Sequence, residues 1–351
     1  MRTRTVNPSL TLGDCEQYCL PGFNLQVARV GRGPLFQEGC KPVFSGHETF
    51  PLRYGWLKKA YEAVRDQSVD SSGKPIFQSD EAIGRFGVGK NMVGSIRHWA
   101  VSSGIVEGDE TSPSSLRPTW VGDRLFGRGG LDPYLEHPAS LWFLHWLMCS
   151  GERQPIKATW FWVFNHYPHA NFRRDDLADG IMKLADERKW QRVARTTVQR
   201  DVECFVRMYE ARTVGAQGAV EENLESPFAE LGLVRGHKGS FHLARGPQPS
   251  LPQGVFAVAL DDFWRRQGST RTLAFETIAH EPGSPGRVFL LDEADLADRL
   301  LALEETTAGA FRWSETAGLK QVLREGPLAE SARQRLLGAA YGFGKRKEAV
   351  Q

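Results

Sequence analysis

Two short, strongly apolar segments near the middle of the chain limit the folds that it can adopt. Residues 139–149 read ASLWFLHWLMC, and residues 159–167 read TWFWVFNHY. A helix needs roughly 20 apolar residues to cross a bilayer, and His145 interrupts the first segment. The chain also has 10 Trp and 20 Phe among 351 residues, whereas disordered chains lack such bulky apolar groups. These segments therefore predict a folded protein built around a buried, aromatic-rich helical core.

Chain length and changes in sequence character predict several folding units. At about 150 residues per domain, the 351 residues correspond to two or three domains. We predict an α+β, mainly α-helical fold in which several helix-turn-helix or winged-helix-like units surround the aromatic core. The predicted divisions are an irregular N-terminal extension (1–42), a winged-helix-like DNA-binding unit (43–130), a central helical unit with a second helix-turn-helix (131–214) and a C-terminal helical and winged unit (215–351).

The first of these units has the predicted element order of a winged helix. Pro51 suits a first helical turn, Ser79 suits an N-cap, and Gly87 and Gly89 separate two helices. The polar tract 108–115 has the length and composition of a wing. Glycine-separated helix pairs also occur in bundles without a DNA role, so both interpretations stay open. The predicted elements are helices over 51–66, 79–86 and 90–103 and strands over 105–107 and 116–121.

The predicted helix over 90–103 separates apolar and polar side chains onto opposite faces. Its inward stripe consists of Met92, Val93, Ile96, Trp99 and Ala100. We predict that the opposite face contacts DNA through Lys90, Asn91, Arg97 and His98. If this helix enters the major groove, Asn91 can read adenine and Arg97 can read guanine.

The most basic window of the chain, residues 188–200, joins two further predicted helices. It carries five basic residues and no acidic one, and it follows a predicted helix over 175–188. Thr196 and Gln199 have capping-box spacing for a helix that begins at Thr197. A solvated helix face is the alternative interpretation of this charge. As a second helix-turn-helix, the segment predicts phosphate contacts from Arg195, Thr197, Arg200 and Arg207.

The last third of the chain predicts another compact unit of helices and strand. Residues 215–225 read as a linker or long loop that precedes it. Asp292 is the predicted N-cap of the final helix. This unit is also compatible with a winged helix. Its predicted elements are helices over 254–267, 272–279 and 293–303 and a strand over 288–291.

Charge, cysteine content and missing motifs argue against several classes of protein. The formal net charge is 44 − 42 = +2, so any affinity for DNA must be local. The five cysteines form no paired CxxC motifs, which argues against a zinc ribbon or a disulfide framework. Residues 84–90 (GRFGVGK) precede Asn91 rather than Ser or Thr, so no P-loop is predicted. No secretory signal is readable at the N-terminus, and we expect a cytoplasmic protein without membrane contact.

The segment 44–56, FSGHETFPLRYGW, concentrates polar chemistry beside aromatic residues. His47 can supply a general base, Glu48 can bind Mg²⁺ or Mn²⁺, and Arg53 can hold a scissile phosphate. The alternative is a helix N-terminus at which Glu48 or Thr49 is the cap and His47 is merely packed. Residue chemistry alone favours this alternative.

Several other carboxylates occur in close pairs along the chain. Oxygen ligands suit Mg²⁺, but helix capping and surface exposure explain such pairs equally well. The pairs are Asp132 with Glu136, Asp175 with Asp176, Asp201 with Glu203 and Asp261 with Asp262.

Six longer strings resemble one bacterial family. They are FSGHETFPLRYGWLKKAYEAV (44–64), FGVGKNMVGSIRHWAVSSGIVE (86–107), LDPYLEHPASLWFLHWLM (131–148), RDVECFVRMYEAR (200–212), SPFAELGLV (226–234) and EPGSPGRVFLLDE (281–293). This SspB-like family, formerly a domain of unknown function, belongs to bacterial DNA phosphorothioation and defence systems. The resemblance spans about residues 43–325 and carries over no catalytic residues.

The resemblance implies a component that nicks double-stranded DNA so that sulfur can be placed in one strand. Its implied partners are an ATPase, SspC, and a relative of ATP pyrophosphatases, SspD; a homodimer is compatible with it. Three functions stay open at this point. The chain is a Mg²⁺- or Mn²⁺-dependent nickase, a non-catalytic DNA-binding adaptor that recruits the modification machinery, or a scaffold whose basic window docks an acidic partner.

Overall fold

Short helices and two-stranded pairings make up the first part of the protein. The computed structural model describes residues 32–342 except 68, 110–114, 154 and 212–225. Most of the predicted N-terminal extension and the predicted linker therefore lie outside the described residues. The first elements, besides 3-10 turns at Pro34–Phe36 and Ile76–Gln78, are β1 (Pro42–Val43), α1 (Trp56–Arg65), α2 (Ala82–Phe86), α3 (Lys90–Ser102), β2 (Val106–Gly108), β3 (Leu116–Pro118) and α4 (Trp120–Phe126).

The predicted helix pair and hairpin are present in this part of the chain. Gly87 ends α2 with a φ of 63°, in the left-handed region that favours glycine. Gly89 is the N-cap of α3, and the stripe that α3 buries includes Val93, Ile96 and Trp99. Strands β2 and β3 then pair antiparallel.

The helix predicted over 51–66 is shorter at its N-terminal end than expected. It begins at Trp56, because Gly55 has a left-handed φ of 77° that an α-helix cannot continue through. Pro51 therefore precedes the helix rather than opening it. Upstream, Glu48 and Thr49 also have positive φ values, of 47° and 66°, so the chain turns sharply there.

The central part of the chain contains the most apolar helices and a mixed four-stranded sheet. Strand β1 pairs in parallel with β4. The sheet has the strand order β5-β8-β7-β6. The elements, besides a 3-10 turn at Pro227–Leu231, are α5 (Pro138–Cys149), β4 (Ile156–Lys157), α6 (Ala158–Asn165), β5 (Asn171–Phe172), α7 (Arg174–Glu187), α8 (Arg195–Tyr209), β6 (Glu210–Ala211), β7 (Val234–His237) and β8 (Ser240–Leu243).

The aromatic segments form the centre of the hydrophobic core, as predicted. Residues 139–149 of α5 and all of α6 are buried, because both helices are apolar around their whole circumference. Phe164 of α6 meets Phe205 and Tyr209 of α8 edge-on, with ring centroids 5.7 and 5.2 Å apart. None of the described helices is long and apolar enough to cross a membrane.

The last part of the chain differs from the prediction in two elements. Residues 272–274 form a strand before the helix. The apolar run 288–291, predicted as a strand, instead comprises the last residue of a helix capped by Ser284 and the turn that follows that helix. All four side chains of that run are buried, and a short buried run has no periodicity that distinguishes a strand from a helix or a turn. The elements are α9 (Gln253–Arg266), β9 (Thr272–Ala274), α10 (Phe275–His280), α11 (Pro285–Val288), α12 (Glu293–Leu301), α13 (Leu303–Thr306), β10 (Phe311–Thr316), β11 (Leu319–Arg324) and α14 (Glu330–Ala339).

One order of elements recurs along the described chain: helices followed by an antiparallel hairpin. It occurs as α2, α3 and β2–β3, as α7, α8 and β7–β8, and as α10, α12 and β10–β11. In the second and third cases the last hairpin strand also pairs with the strand that precedes the helices. The fold is therefore α+β and mainly α-helical, as predicted.

The paired carboxylates Asp261 and Asp262 on α9 are held by arginines in the core. Arg333 of α14 places one guanidinium nitrogen 2.8 Å from Asp261 Oδ2 and another 2.6 Å from Asp262 Oδ1. Trp146 Nε1 also donates a hydrogen bond of 3.1 Å to Asp262 Oδ2. This pair, one of those considered for Mg²⁺, thus joins the C-terminal helix to the aromatic core.

Replacing Arg333 by lysine is expected to lower the free energy of unfolding by about 1–3 kcal/mol, because a single ammonium cannot reach both carboxylates as the guanidinium fork does. Urea denaturation measures the change. Arg335→Lys on the exposed side of the same helix is the matched control and is expected to change the value by less than about 0.5 kcal/mol. Equal effects of the two variants would contradict this role of Arg333.

Candidate nucleic-acid interface

The outward face of α3 presents the polar side chains predicted to contact DNA. Lys90, Asn91 and Arg97 are exposed. Lys90 Nζ lies 3.2 Å from Asp80 Oδ1, and both side chains are largely exposed, so water screens this pair. Gly94, between them on the same face, is exposed and adds no side chain. These residues form an open polar surface rather than a pocket.

His98 does not belong to that outward face. Its ring centroid lies 4.8 Å from that of Trp99 and 5.8 Å from that of His47, edge-on in both cases. Burial, assisted by the positive charge of Lys157, lowers its pKa to about 2. The chain passes close by at Gly46, whose φ is 103° and where a Cβ atom would lie 2.5 Å from His98 Nδ1. The prediction that His98 lies on the outer face of the helix is therefore wrong, because a preceding loop covers it.

The basic residues of α8 occupy different environments. The Arg195 guanidinium lies 2.6 Å from Asp179 Oδ1, Arg200 is exposed, and Thr197 is half-buried. Arg207 instead turns to the protein and donates a hydrogen bond of 3.2 Å to the Thr49 carbonyl oxygen. Arg200 and Arg195 are thus the members of the predicted set that face solvent most openly.

The N-terminus of α8 differs from the predicted capping box. The helix begins at Arg195, with Ala194 at the N-cap and no side-chain capping bond. Thr196 therefore lies in the first turn, where it cannot act as the N-cap. Because alanine has no acceptor atom, the first N–H groups of this 15-residue helix receive no side-chain cap.

His47 is buried, and both of its ring nitrogens are engaged. The Thr49 backbone N–H donates to Nδ1 over 3.0 Å, so Nδ1 is unprotonated and Nε2 carries the hydrogen. Nε2 then donates to Asp201 Oδ1 over 2.7 Å, and the Thr159 hydroxyl donates to the other carboxylate oxygen. The sequence predicted His47 as a general base, but in this arrangement both ring nitrogens are already engaged and the side chain is buried.

Residues 46–50, here called the junction loop, are bound by both α3 and α8. From α3, the Ser95 hydroxyl donates to the His47 carbonyl oxygen, and Trp99 Nε1 donates to the Phe50 carbonyl oxygen over 2.9 Å. From α8, the contacts are those of Asp201 and Arg207 described above. The junction loop therefore links the two basic helices through hydrogen bonds, of which those of His47 with Asp201 and Ser95 are buried.

A partly buried lysine lies beside this junction. Lys157, at the end of β4, belongs to the parallel pairing with β1. Burial lowers its pKa to about 8, while the Asp201 carboxylate acts in the opposite direction. Asp201 thus compensates positive charge on Lys157 as well as accepting bonds from His47 and Thr159.

The other two residues of the predicted catalytic cluster, Glu48 and Arg53, do not belong to a cluster of metal-binding side chains in the part of the chain that the structure describes. Glu48 is exposed at the tip of the junction loop, and the Arg53 guanidinium lies over the rings of Phe50 and Trp56, 5.8 and 5.6 Å from their centroids. Among the described residues, no three His, Cys, Asp or Glu side chains are grouped closely enough to hold a metal ion. The predicted Mg²⁺ or Mn²⁺ ligand Glu48 is thus a single carboxylate, and this donor set does not fit a metal site built by the protein alone.

Comparison with known proteins identifies the family. The model of the family described as "Protein of unknown function (DUF4007)" matches residues 44–341. The chain belongs to this family. It is also similar to an SspB crystal structure, with 30% identity, a TM-score of 0.73, and coverage of 86% of this chain and 89% of that chain. A magnesium ion-bound SspB crystal structure gives 29% identity and a TM-score of 0.74, with 85% and 87% covered. No curated protein matches the chain.

The SspB-like family assignment made from the sequence strings is therefore confirmed. Sequence reasoning also found the junction loop, through the density of polar residues in FSGHETF. It missed the residues that hold this loop, because Asp201 and His47 are 154 positions apart and no local pattern pairs them. Ser95 and Thr159 had no signal either, since a small polar residue within a helix does not indicate a distant partner.

Proposed function

We propose that this SspB-like chain is a DNA-contacting component of a bacterial DNA phosphorothioation system and that it grips duplex DNA with α3 and α8. The observation that carries the proposal is that both helices expose basic side chains and both bind the junction loop. Lys90 and Arg97 supply the charge on α3, and Arg200 and Arg195 supply it on α8. The proposed partners are duplex DNA and the ATPase and ATP-pyrophosphatase-like components SspC and SspD.

The element order of both regions supports this proposal. In a winged helix, the second helix of the pair enters the major groove and its N-terminal residues contact base edges. Lys90 and Asn91 hold those positions in α3, and Arg97 follows about two turns later. Arginine suits guanine and asparagine suits adenine, so α3 carries the residue types that read a sequence.

Exposed carboxylates in the C-terminal unit support a DNA contact that is limited to α3 and α8. It repeats the same order of elements, yet its corresponding helix, α12, exposes Glu293 and Asp298. Carboxylates at these positions repel phosphates. The same order of elements therefore occurs in this chain with acidic side chains exposed on the corresponding helix. Basic residues elsewhere in this unit, such as Arg312 and Lys320, provide matched controls.

Fluorescence anisotropy with a labelled 20–30 base-pair duplex, a size that spans two to three helical turns, tests the proposal. A saturable rise in anisotropy is expected at low salt, with a dissociation constant that increases steeply as salt is added, because phosphate contacts release counterions. A flat anisotropy at low salt would contradict DNA binding and favour the acidic-partner scaffold.

Nicking of one DNA strand is a second candidate function. It is supported by the likeness to a magnesium ion-bound SspB crystal structure. The position of Glu48 also supports it: this side chain is exposed beside α3, and its Cγ lies 3.7 Å from where a Cβ atom on Gly94 would be. A carboxylate is the ligand type that Mg²⁺ prefers. We assign no proton-transfer role to His47 in this candidate, because both of its ring nitrogens are engaged.

Under this candidate function, purified protein with Mg²⁺ or Mn²⁺ is expected to convert supercoiled plasmid to open circles. Glu48→Gln is expected to lower the rate of this conversion at least about tenfold by removing the charged ligand. Agarose gels measure the conversion, with EDTA as the metal-removal arm. Glu293→Gln, whose side chain is 72% exposed, is the control. Plasmid that stays closed even with SspC and SspD added would reject nicking and leave the adaptor function.

A further inference from the structure

A basic pocket of about 570 Å³ lies between the segment before the junction loop and the turn that joins α7 to α8. Its lining includes Lys41 and Phe44 from the first segment and Lys189, Trp190 and Arg192 from the turn. This volume is within the range of about 300–1,000 Å³ typical of small-ligand sites. The pocket has no part in the contacts proposed above for α3.

The charge of the pocket selects for an anion. No aspartate or glutamate is among the described residues that line it. Within the described chain, Lys41, Lys189 and Arg192 form no ion pair, and all three are exposed. Arg188 adds a fourth positive charge and is held in place by the Phe36 carbonyl oxygen, 2.9 Å from its guanidinium.

The start of α8 adds polar groups that also favour binding of an anion. Val193 and Thr197 both line the pocket, and the first N–H groups of the helix lack a side-chain cap because Ala194 is the N-cap. N–H groups without a side-chain cap and the helix dipole favour phosphate at such an end. The Thr197 hydroxyl supplies another hydrogen-bond donor.

An aromatic surface stands beside these cations. Trp190 is half-buried, and its ring centroid lies 6.0 Å from that of Phe44 at an angle of 55°. Phe44 itself is buried and fixes one side of the indole. Aromatic rings next to a cationic groove are the combination that binds unpaired nucleotides, by stacking the base and pairing the phosphate.

We propose that this pocket takes one unpaired nucleotide of the bound DNA, with its base against Trp190 and its phosphate at Lys189, Arg192 and the start of α8. The proposal rests on the DNA-binding function proposed above and extends it to a place where the duplex is opened. A free mononucleotide has the same chemistry, so the test includes it as a separate arm.

The test compares a fully paired duplex with the same duplex carrying a single bulged 2-aminopurine. Wild-type protein is expected to bind the bulged duplex about tenfold more tightly, since stacking of one base is worth about 1–3 kcal/mol. Stacking on Trp190 is also expected to quench 2-aminopurine fluorescence. Trp190→Ala is expected to lose both the preference and the quench while binding the paired duplex as wild type does.

Two further variants distinguish the loss of pocket contacts from a general change in packing. Lys189→Ala/Arg192→Ala changes exposed side chains and is expected to lose the preference without the packing change of Trp190→Ala. Trp120→Ala, at a tryptophan that is 39% exposed outside the pocket, is the control and is expected to keep it. Circular dichroism establishes that each variant is folded.

Three outcomes would overturn the proposal. Equal affinity of wild type for both duplexes would reject the pocket while leaving duplex binding intact. Absence of binding to either duplex would reject the proposed function, and the pocket proposal with it. Quenching of free 2-aminopurine deoxynucleotide that depends on Trp190, without a preference for the bulged duplex, would assign the pocket to a free nucleotide instead of DNA.

Discussion

Asp201→Ala is expected to lower the free energy of unfolding by about 3–5 kcal/mol, because removing one partner from a buried charged network leaves the others uncompensated. The His47 Nε2–H and the Thr159 hydroxyl would lose their acceptor. Lys157, partly buried beside them, would lose the negative charge that opposes its desolvation. Urea denaturation of the folded protein measures the change.

Glu203→Ala is the matched control for Asp201→Ala, since it removes a carboxylate from the same helix. The Glu203 side chain is 46% exposed and pairs with Arg174 at the surface, so its loss is expected to cost less than about 1 kcal/mol. If the two variants were destabilised to the same small extent, the junction between α3 and α8 would not depend on Asp201.

The second large effect concerns DNA affinity. Lys90→Ala/Arg97→Ala/Arg200→Ala is expected to weaken duplex binding by at least about 100-fold, because each lost phosphate or base contact is worth about 1–3 kcal/mol. All three side chains are exposed, so their removal is not expected to unfold the protein. Anisotropy titration at a fixed salt concentration of about 0.1 M measures the loss.

Arg312→Ala/Lys320→Ala/Arg335→Ala removes the same number of positive charges from exposed positions of the C-terminal unit. It is expected to change the affinity by less than about threefold, since long-range attraction to DNA is screened within about 10 Å at 0.1 M salt. A similar loss in both triple variants would mean that total charge, rather than the surface of α3 and α8, governs binding.

Much of the fold could be predicted because the signals are local. Gly89 and the stripe Val93, Ile96 and Trp99 predict α3, and Pro138 followed by an apolar run predicts α5. Asp292 caps α12 as expected, accepting a bond of 2.8 Å from the Asp295 N–H. In each case the turn residue and the periodicity that define the element lie within a few positions of it.

The remainder depends on contacts between distant segments. Whether His98 faces solvent is decided by the junction loop, which reaches it from about 50 positions earlier, and the helix pattern alone places it outward. The run 288–291 is apolar because it is buried in the core. A short buried run is equally apolar in a strand, a helix or a turn, so its composition does not identify the element. The role of Asp201 likewise requires its partner His47, which only the tertiary fold brings within 2.7 Å.

The dependence of duplex affinity on salt tests the central claim most directly. For each protein, the logarithm of the dissociation constant is plotted against the logarithm of the salt concentration, and the slope counts phosphate contacts. The slope of Lys90→Ala/Arg97→Ala/Arg200→Ala is expected to be smaller than that of wild type by about 2–3, at about one per lost contact, while the C-terminal triple variant keeps the wild-type slope. Identical slopes for all three proteins would contradict DNA binding through α3 and α8.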